Sequence, residues 1–154
     1  MELKRIASFE VNHNVLERGI YISRIDGDIT TFDIRMKLPN KNDYLDTKAM
    51  HTIEHIVATF TRNSAYSDRI IYFGPMGCRT GFYLLTRNVP NDEAIALIYD
   101  AFQFMANFEG EIPGTTAIEC GNYLEHDLIG AKKEAENYIS VIKNYSVDQL
   151  AYKK

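Results

Sequence analysis

The five residues His51-Thr52-Ile53-Glu54-His55 set two imidazoles four positions apart. On a helix that spacing projects both rings from one face, one turn apart, so two nitrogens can meet a single ion. Glu54 falls near the same face, where a carboxylate suits a general base beside a metal better than a ligand to it. A third donor must come from elsewhere in the chain. Cys120, in Ile118-Glu119-Cys120-Gly121, is the leading candidate, because a thiolate with two imidazoles suits zinc or ferrous iron and leaves a fourth position open for water or substrate. His126 competes for that role. In the plainer reading the two histidines are half-buried polar residues of an amphipathic helix, and Cys120 is a small buried hydrophobe.

The second cysteine, Cys78, follows the glycine-rich run Gly74-Pro75-Met76-Gly77 and precedes Arg79. Exposed backbone amides and a neighbouring cation favour a thiolate there, and such a thiol can shuttle protons; the plainer reading is a buried loop thiol with no function. H-x-x-E-H with a downstream glutamate is also the pattern of an inverzincin metallopeptidase, with Glu119 or Glu125 as third ligand. That reading ranks second, since the short chain leaves little material for a peptide cleft and both cysteines are left without a task. A metal-binding homologue without catalysis is a third class.

These residues need elements to position them. From Asp46 or Thr47 as N-cap, Met50, Ile53, Val57 and Phe60 recur at helical spacing, and Asn63-Ser64 ends the run. Gly19 to Arg24 and Ile29 to Leu38, with Asp26-Gly27-Asp28 between them, read as a β-hairpin. Ile70 to Phe73 and Gly81 to Thr86 read as two more strands flanking the Cys78 segment. After Pro90, Asn91 can cap a helix through Ala94, Leu97, Ile98, Ala101, Phe102 and Met105; another runs from about Leu128 to Asn144. A short last helix starts at Ser146, with Gln149 as its capping-box partner. The hairpin makes the sheet at least partly antiparallel, so the fold class is α+β: one domain over residues 1–154, a mostly antiparallel sheet packed with helices, with H-x-x-E-H on a helix.

Length and charge narrow the function classes. The 154 residues suffice for one core but not for two complete domains. A net charge of -4, with both signs scattered along the chain, argues against nucleic-acid and anionic-membrane partners. No apolar run reaches membrane-spanning length and the first ten residues lack the pattern of a signal peptide, so a cytoplasmic location is expected. Two cysteines in such a chain favour chemistry or metal ligation over a disulfide.

Three ordered motifs carry a family resemblance: His51-Thr52-Ile53-Glu54-His55, then Pro75-Met76-Gly77-Cys78-Arg79-Thr80-Gly81-Phe82-Tyr83-Leu84, then Cys120-Gly121 with His126 following. Together they resemble the S-ribosylhomocysteine lyase (LuxS) family. The similarity extends from Ser8-Phe9-Glu10 through Phe32-Asp33-Ile34-Arg35 and Pro39-Asn40-Lys41 to Gly130-Ala131. The resemblance implies a homodimer with its active site at the interface and one divalent metal per subunit on His51, His55 and Cys120, ferrous iron in the family with zinc or cobalt as substitutes. It also implies cleavage of S-ribosylhomocysteine to homocysteine and 4,5-dihydroxy-2,3-pentanedione, the autoinducer-2 precursor, with Glu54 and Cys78 as acid and base. Ser8, His13 and Arg35 match substrate-site positions, and a guanidinium at Arg35 suits the amino-acid carboxylate. Tyr72-Phe73-Gly74 stands where the family commonly has Asp-Ile-Ser, and Asn12 where it has Asp.

Overall fold

The computed structural model describes residues 1–154. Its sheet has four antiparallel strands in the order β1-β2-β4-β3, where β1 is Gly19–Asp26, β2 Ile29–Arg35, β3 Ile70–Pro75 and β4 Gly81–Arg87. Gly27, at φ 62, supplies the left-handed conformation that the tight β1–β2 turn needs. Strand β2 stops at Arg35, short of the sequence reading. Met36 and Lys37 both donate their backbone N–H to the Thr80 carbonyl, and Leu38 turns out to solvent.

Successive residues alternate between the two faces of the sheet. Ile20, Phe32, Ile34, Phe82 and Leu84 join a core of 27 buried residues with the three helices. Tyr21, Asp33, Arg35 and Tyr83 fall on the alternate positions, and Asp33 and Arg35 are nevertheless buried. The C-terminal tail helps bury them: Tyr152 stacks on Tyr21 with ring centroids 4.9 Å apart and donates its hydroxyl to Asp33. At Gly81 a side chain would run into the Ile34 carbonyl, so glycine is what lets β4 pair tightly with β2 beside Arg35.

Helix α1 (Thr47–Arg62) is capped by Asp46, whose carboxylate accepts from the Lys48 and Ala49 amides. Its buried stripe is centred on Ile53, Ile56 and Val57, which leaves His51, Glu54 and His55 half-buried at its edge. Helix α2 (Asn91–Ala106) begins one residue earlier than expected: Pro90 is its N-cap and makes no side-chain cap. Asp92 and Glu93 instead complement the positive helix start. Helix α3 (Leu128–Ile142) is capped by Asp127, and the short turn Val147–Leu150 carries the expected Ser146/Gln149 capping box. Between α2 and α3 the chain from 107 to 127 is irregular, and it passes over the exposed edge of α1.

Candidate functional site

Two corners of the molecule gather the candidate residues. At the first, α1 meets the irregular segment. His51 donates Nδ1–H to the Glu125 carbonyl and His55 donates Nδ1–H to the Pro113 carbonyl, both at 2.8 Å. A carbonyl can only accept, so both rings are fixed as the Nδ1–H tautomer with a bare Nε2. Cys120 Sγ lies 3.5 Å from His51 Nε2 and 3.7 Å from His55 Nε2, the edge lengths of a small coordination polyhedron. Gly114, at φ 74, carries the chain past His55; a side chain there would press on the ring.

His126, the competitor of Cys120 for the third position, enters the same cluster. Its ring stacks on His51 with centroids 4.0 Å apart. Thr52 Oγ1 gives its proton to the Lys48 carbonyl and accepts from the Asp127 amide, which leaves it to accept from His126 Nδ1 as well. His126 Nε2 is then a bare lone pair, buried and without a hydrogen-bond partner. One donor atom from each of His51, His55, Cys120 and His126 lies within 4.8 Å of the others. Burial first, then the neighbouring His51 and His55, push the His126 imidazolium down to about 4, so that ring is a neutral donor at pH 7. Three imidazole lone pairs converging with a sulfur whose one other contact is the Asn122 amide fit a soft or borderline divalent metal such as zinc or ferrous iron.

Neither glutamate of the peptidase reading reaches this cluster. Glu119 accepts from Thr116 and Glu125 from Asn122 through their carboxylates, and Glu125 serves the site only through its backbone carbonyl. Glu54 lines an open cleft of about 510 Å³ with His55, Tyr72, Phe73 and Pro113, next to the donors but not among them. Tyr72 folds its ring across Gly74, where a side chain would collide with it, so Tyr72 and Gly74 fit one another.

The second corner is a cavity of about 320 Å³ against the polar face of the sheet, lined in part by Ser8, His13, Arg35, Cys78, Tyr83 and Tyr152. It unites the sequence-derived substrate residues with Cys78. Arg35, however, is not a free carboxylate clamp: its Nε and Nη2 donate to the two oxygens of Asp33 at 3.0 and 2.6 Å, and Nη1 donates to Thr80 Oγ1 at 2.8 Å. Burial alone would lower its proton affinity, but the Asp33 contacts hold it above the ordinary value.

Adjacency in sequence pointed to Arg79 as the cation beside Cys78. The structure overturns this, because Arg79, in the left-handed region at φ 61, turns its guanidinium to the Leu45 carbonyl and the Tyr44 ring. Asp33, Thr80 and Tyr152 were not singled out by sequence reasoning. The signal for Asp33 was charged residues at alternate positions of a strand whose other positions are apolar.

The model of the S-ribosylhomocysteinase (LuxS) family matches residues 6–148 of the chain. Among curated relatives, a protein of Clostridium acetobutylicum is 46% identical over 97% of this chain and 99% of its own length. One of Desulfotalea psychrophila is 48% identical over 97% and 99%, and one of Porphyromonas gingivalis 46% over 96% of each. All three are named S-ribosylhomocysteine lyase.

Proposed function

The chain belongs to the S-ribosylhomocysteinase (LuxS) family, and from that premise we propose that it is an S-ribosylhomocysteine lyase, a carbon–sulfur lyase releasing homocysteine and 4,5-dihydroxy-2,3-pentanedione. The observation that carries this reading is the convergence of His51, His55 and Cys120 around one point, with Glu54 beside them. We assign these three as the metal ligands, with His126 Nε2 as a further donor facing the same point, and ferrous iron as the metal, replaceable by zinc or cobalt. When bound, the metal supplies a Lewis acid to sugar oxygens that become negatively charged.

The chain's own residues then move protons. Carrying the ribose carbonyl from C1 to C2 and on to C3 removes a proton from the carbon beside each carbonyl and returns one to its neighbour. Glu54 and Cys78 are the groups we assign to these transfers, on opposite sides of the sugar. With the carbonyl at C3, loss of a proton from C4 expels the homocysteine thiolate from C5, and no bond to the protein forms. Ser8, His13 and Arg35 line the cavity that receives the remainder of the substrate.

In one chain, Glu54 and Cys78 face different cavities. We assign their union to a homodimer in which one subunit's metal corner closes on its partner's thiol corner. Apolar side chains beside both corners support this: Leu3, Ile6 and Phe9 at the N-terminus, and Ile118, Leu124 and Ile129 flanking the metal loop, are all exposed in the single chain. No helix is long and apolar enough to cross a membrane. A cytoplasmic place in recycling the methyl-cycle thioether, with autoinducer-2 as a signalling by-product, fits this substrate. The test is release of free thiol from S-ribosylhomocysteine by anaerobic, ferrous-loaded protein. Metal-dependent release is expected; none from loaded, folded dimer would reject the lyase.

A further inference from the structure

Thr80 lies between Cys78 and Arg35, and it is only 2% exposed. Its hydroxyl oxygen is 2.8 Å from Arg35 Nη1 and 3.0 Å from Cys78 Sγ. A guanidinium N–H can only donate, so Thr80 Oγ1 accepts from Arg35 and its own proton is free to point at the sulfur. Asp33 takes the Nε and Nη2 edges of Arg35, and Tyr152 donates to Asp33 Oδ2 at 2.6 Å from the other end. The guanidinium is therefore locked with Nη1 as the nitrogen that faces the thiol corner. Arg79, next to Cys78 in sequence, points away.

We propose that Thr80 is the positioning residue of Cys78: accepting from Arg35 Nη1–H polarises its hydroxyl, which donates to the sulfur and holds the thiol in the form and place that proton transfer needs. This deepens the reading of Cys78 as a proton-transfer group and rests on it. The hydroxyl acts through a hydrogen bond to an ionised acceptor, the strong class of such bonds, and a thiolate is stabilised by it where a neutral thiol is not.

The test reads the thiol directly. Zinc-loaded protein is reacted with the aromatic disulfide 5,5′-dithiobis(2-nitrobenzoate) at pH 7, with Cys78→Ala subtracting any contribution of Cys120. Thr80→Val keeps the shape and removes the hydroxyl; Thr80→Ser keeps the hydroxyl. A hydrogen bond to the thiolate raises its population more than it lowers its nucleophilicity, so Thr80→Val should slow the Cys78 reaction about three- to tenfold. Thr80→Ser should restore it to within about twofold of wild type, with an unchanged melting temperature. Equal rates in Thr80→Val and wild type, or slowing that Ser does not rescue, would overturn the assignment. Should Thr80→Val not fold, Thr80→Ala carries the same comparison. Because no turnover is involved, the relay can fail while lyase activity stands, and can hold in a protein with no lyase activity.

Discussion

The metal corner and the thiol corner are held by opposite means. At the metal corner two histidines on a regular helix meet Cys120 and His126 from an irregular segment. That segment is tied to α1 by the ring N–H groups of His51 and His55 and by Thr52. The three ring Nε2 atoms it gathers with Cys120 Sγ have no partner outside the cluster, an arrangement that fits one ion. At the thiol corner a sheet strand supplies Arg35, an ion pair less than 5% exposed fixes it, and a tight turn presents Cys78 to it through Thr80. One corner gathers donors that fit an ion, whereas the side chains of the other are already paired among themselves.

Removing a donor should break the first corner alone. Cys120→Ala should lose its metal through dialysis and with it detectable thiol release. Loss of a ligand should weaken metal binding by more than the roughly 10- to 100-fold typical of the groups that merely orient ligands. The urea midpoint should stay close to that of metal-free wild type. Full retention of metal would remove Cys120 from the ligand set.

Cys78→Ala should do the reverse, keeping one metal per subunit while thiol release falls about 10²- to 10⁴-fold, the usual share of a general acid or base. A metallopeptidase would be indifferent to this change, so near-normal turnover would contradict the role given to Cys78. Asp33→Ala breaks the second corner from inside. It leaves the Arg35 charge buried and unpaired, and should cost about 3–5 kcal/mol in urea unfolding. A loss under 1 kcal/mol would mean that water reaches Arg35.

The two corners also differed in how legible they were. Helix α1, its Asp46 cap and the pairing of His51 with His55 are local, set by spacing of three and four residues, and they stood in the sequence as they stand in the fold. Cys120 and His126 were visible as donors, but their joint arrival was not, because the 107–127 segment has no periodicity from which to place them. The thiol corner was misassigned locally: sequence adjacency favours Arg79, while the cation that reaches Thr80, the hydrogen-bond partner of Cys78, comes from 45 residues before it. Tyr152 reaches Asp33 across 119 residues, a contact that no spacing within one element encodes.

Smaller effects sharpen the contrast. Thr52→Val deletes the acceptor that orients His126 and the Asp127 amide. It should weaken metal binding about 10- to 100-fold while leaving the Cys78 reaction with the disulfide reagent unchanged. A change at Cys78 would show that the corners are coupled within one chain.

The smallest effect is on pH dependence. In the metal-free protein the folded state holds His126 at about 4 instead of 6.5, chiefly through burial. The unfolded chain binds the extra proton, so stability should fall as pH drops from about 6.5 and level off below about 4. His126→Gln should flatten this slope in urea midpoints taken from pH 4 to 7; an unchanged slope would place its origin elsewhere.

The central claim, that a metal corner of one subunit works with the thiol corner of another, is tested most directly by complementation. Glu54→Gln and Cys78→Ala proteins, each inactive alone, are mixed under conditions that exchange subunits, loaded with ferrous iron and assayed for thiol release. Random exchange puts about half of the subunit pairs in mixed dimers, each with one intact shared site, so about a quarter of wild-type turnover should appear. Turnover no higher than the sum of the two parents would place Glu54 and Cys78 in the same chain's site and contradict the account.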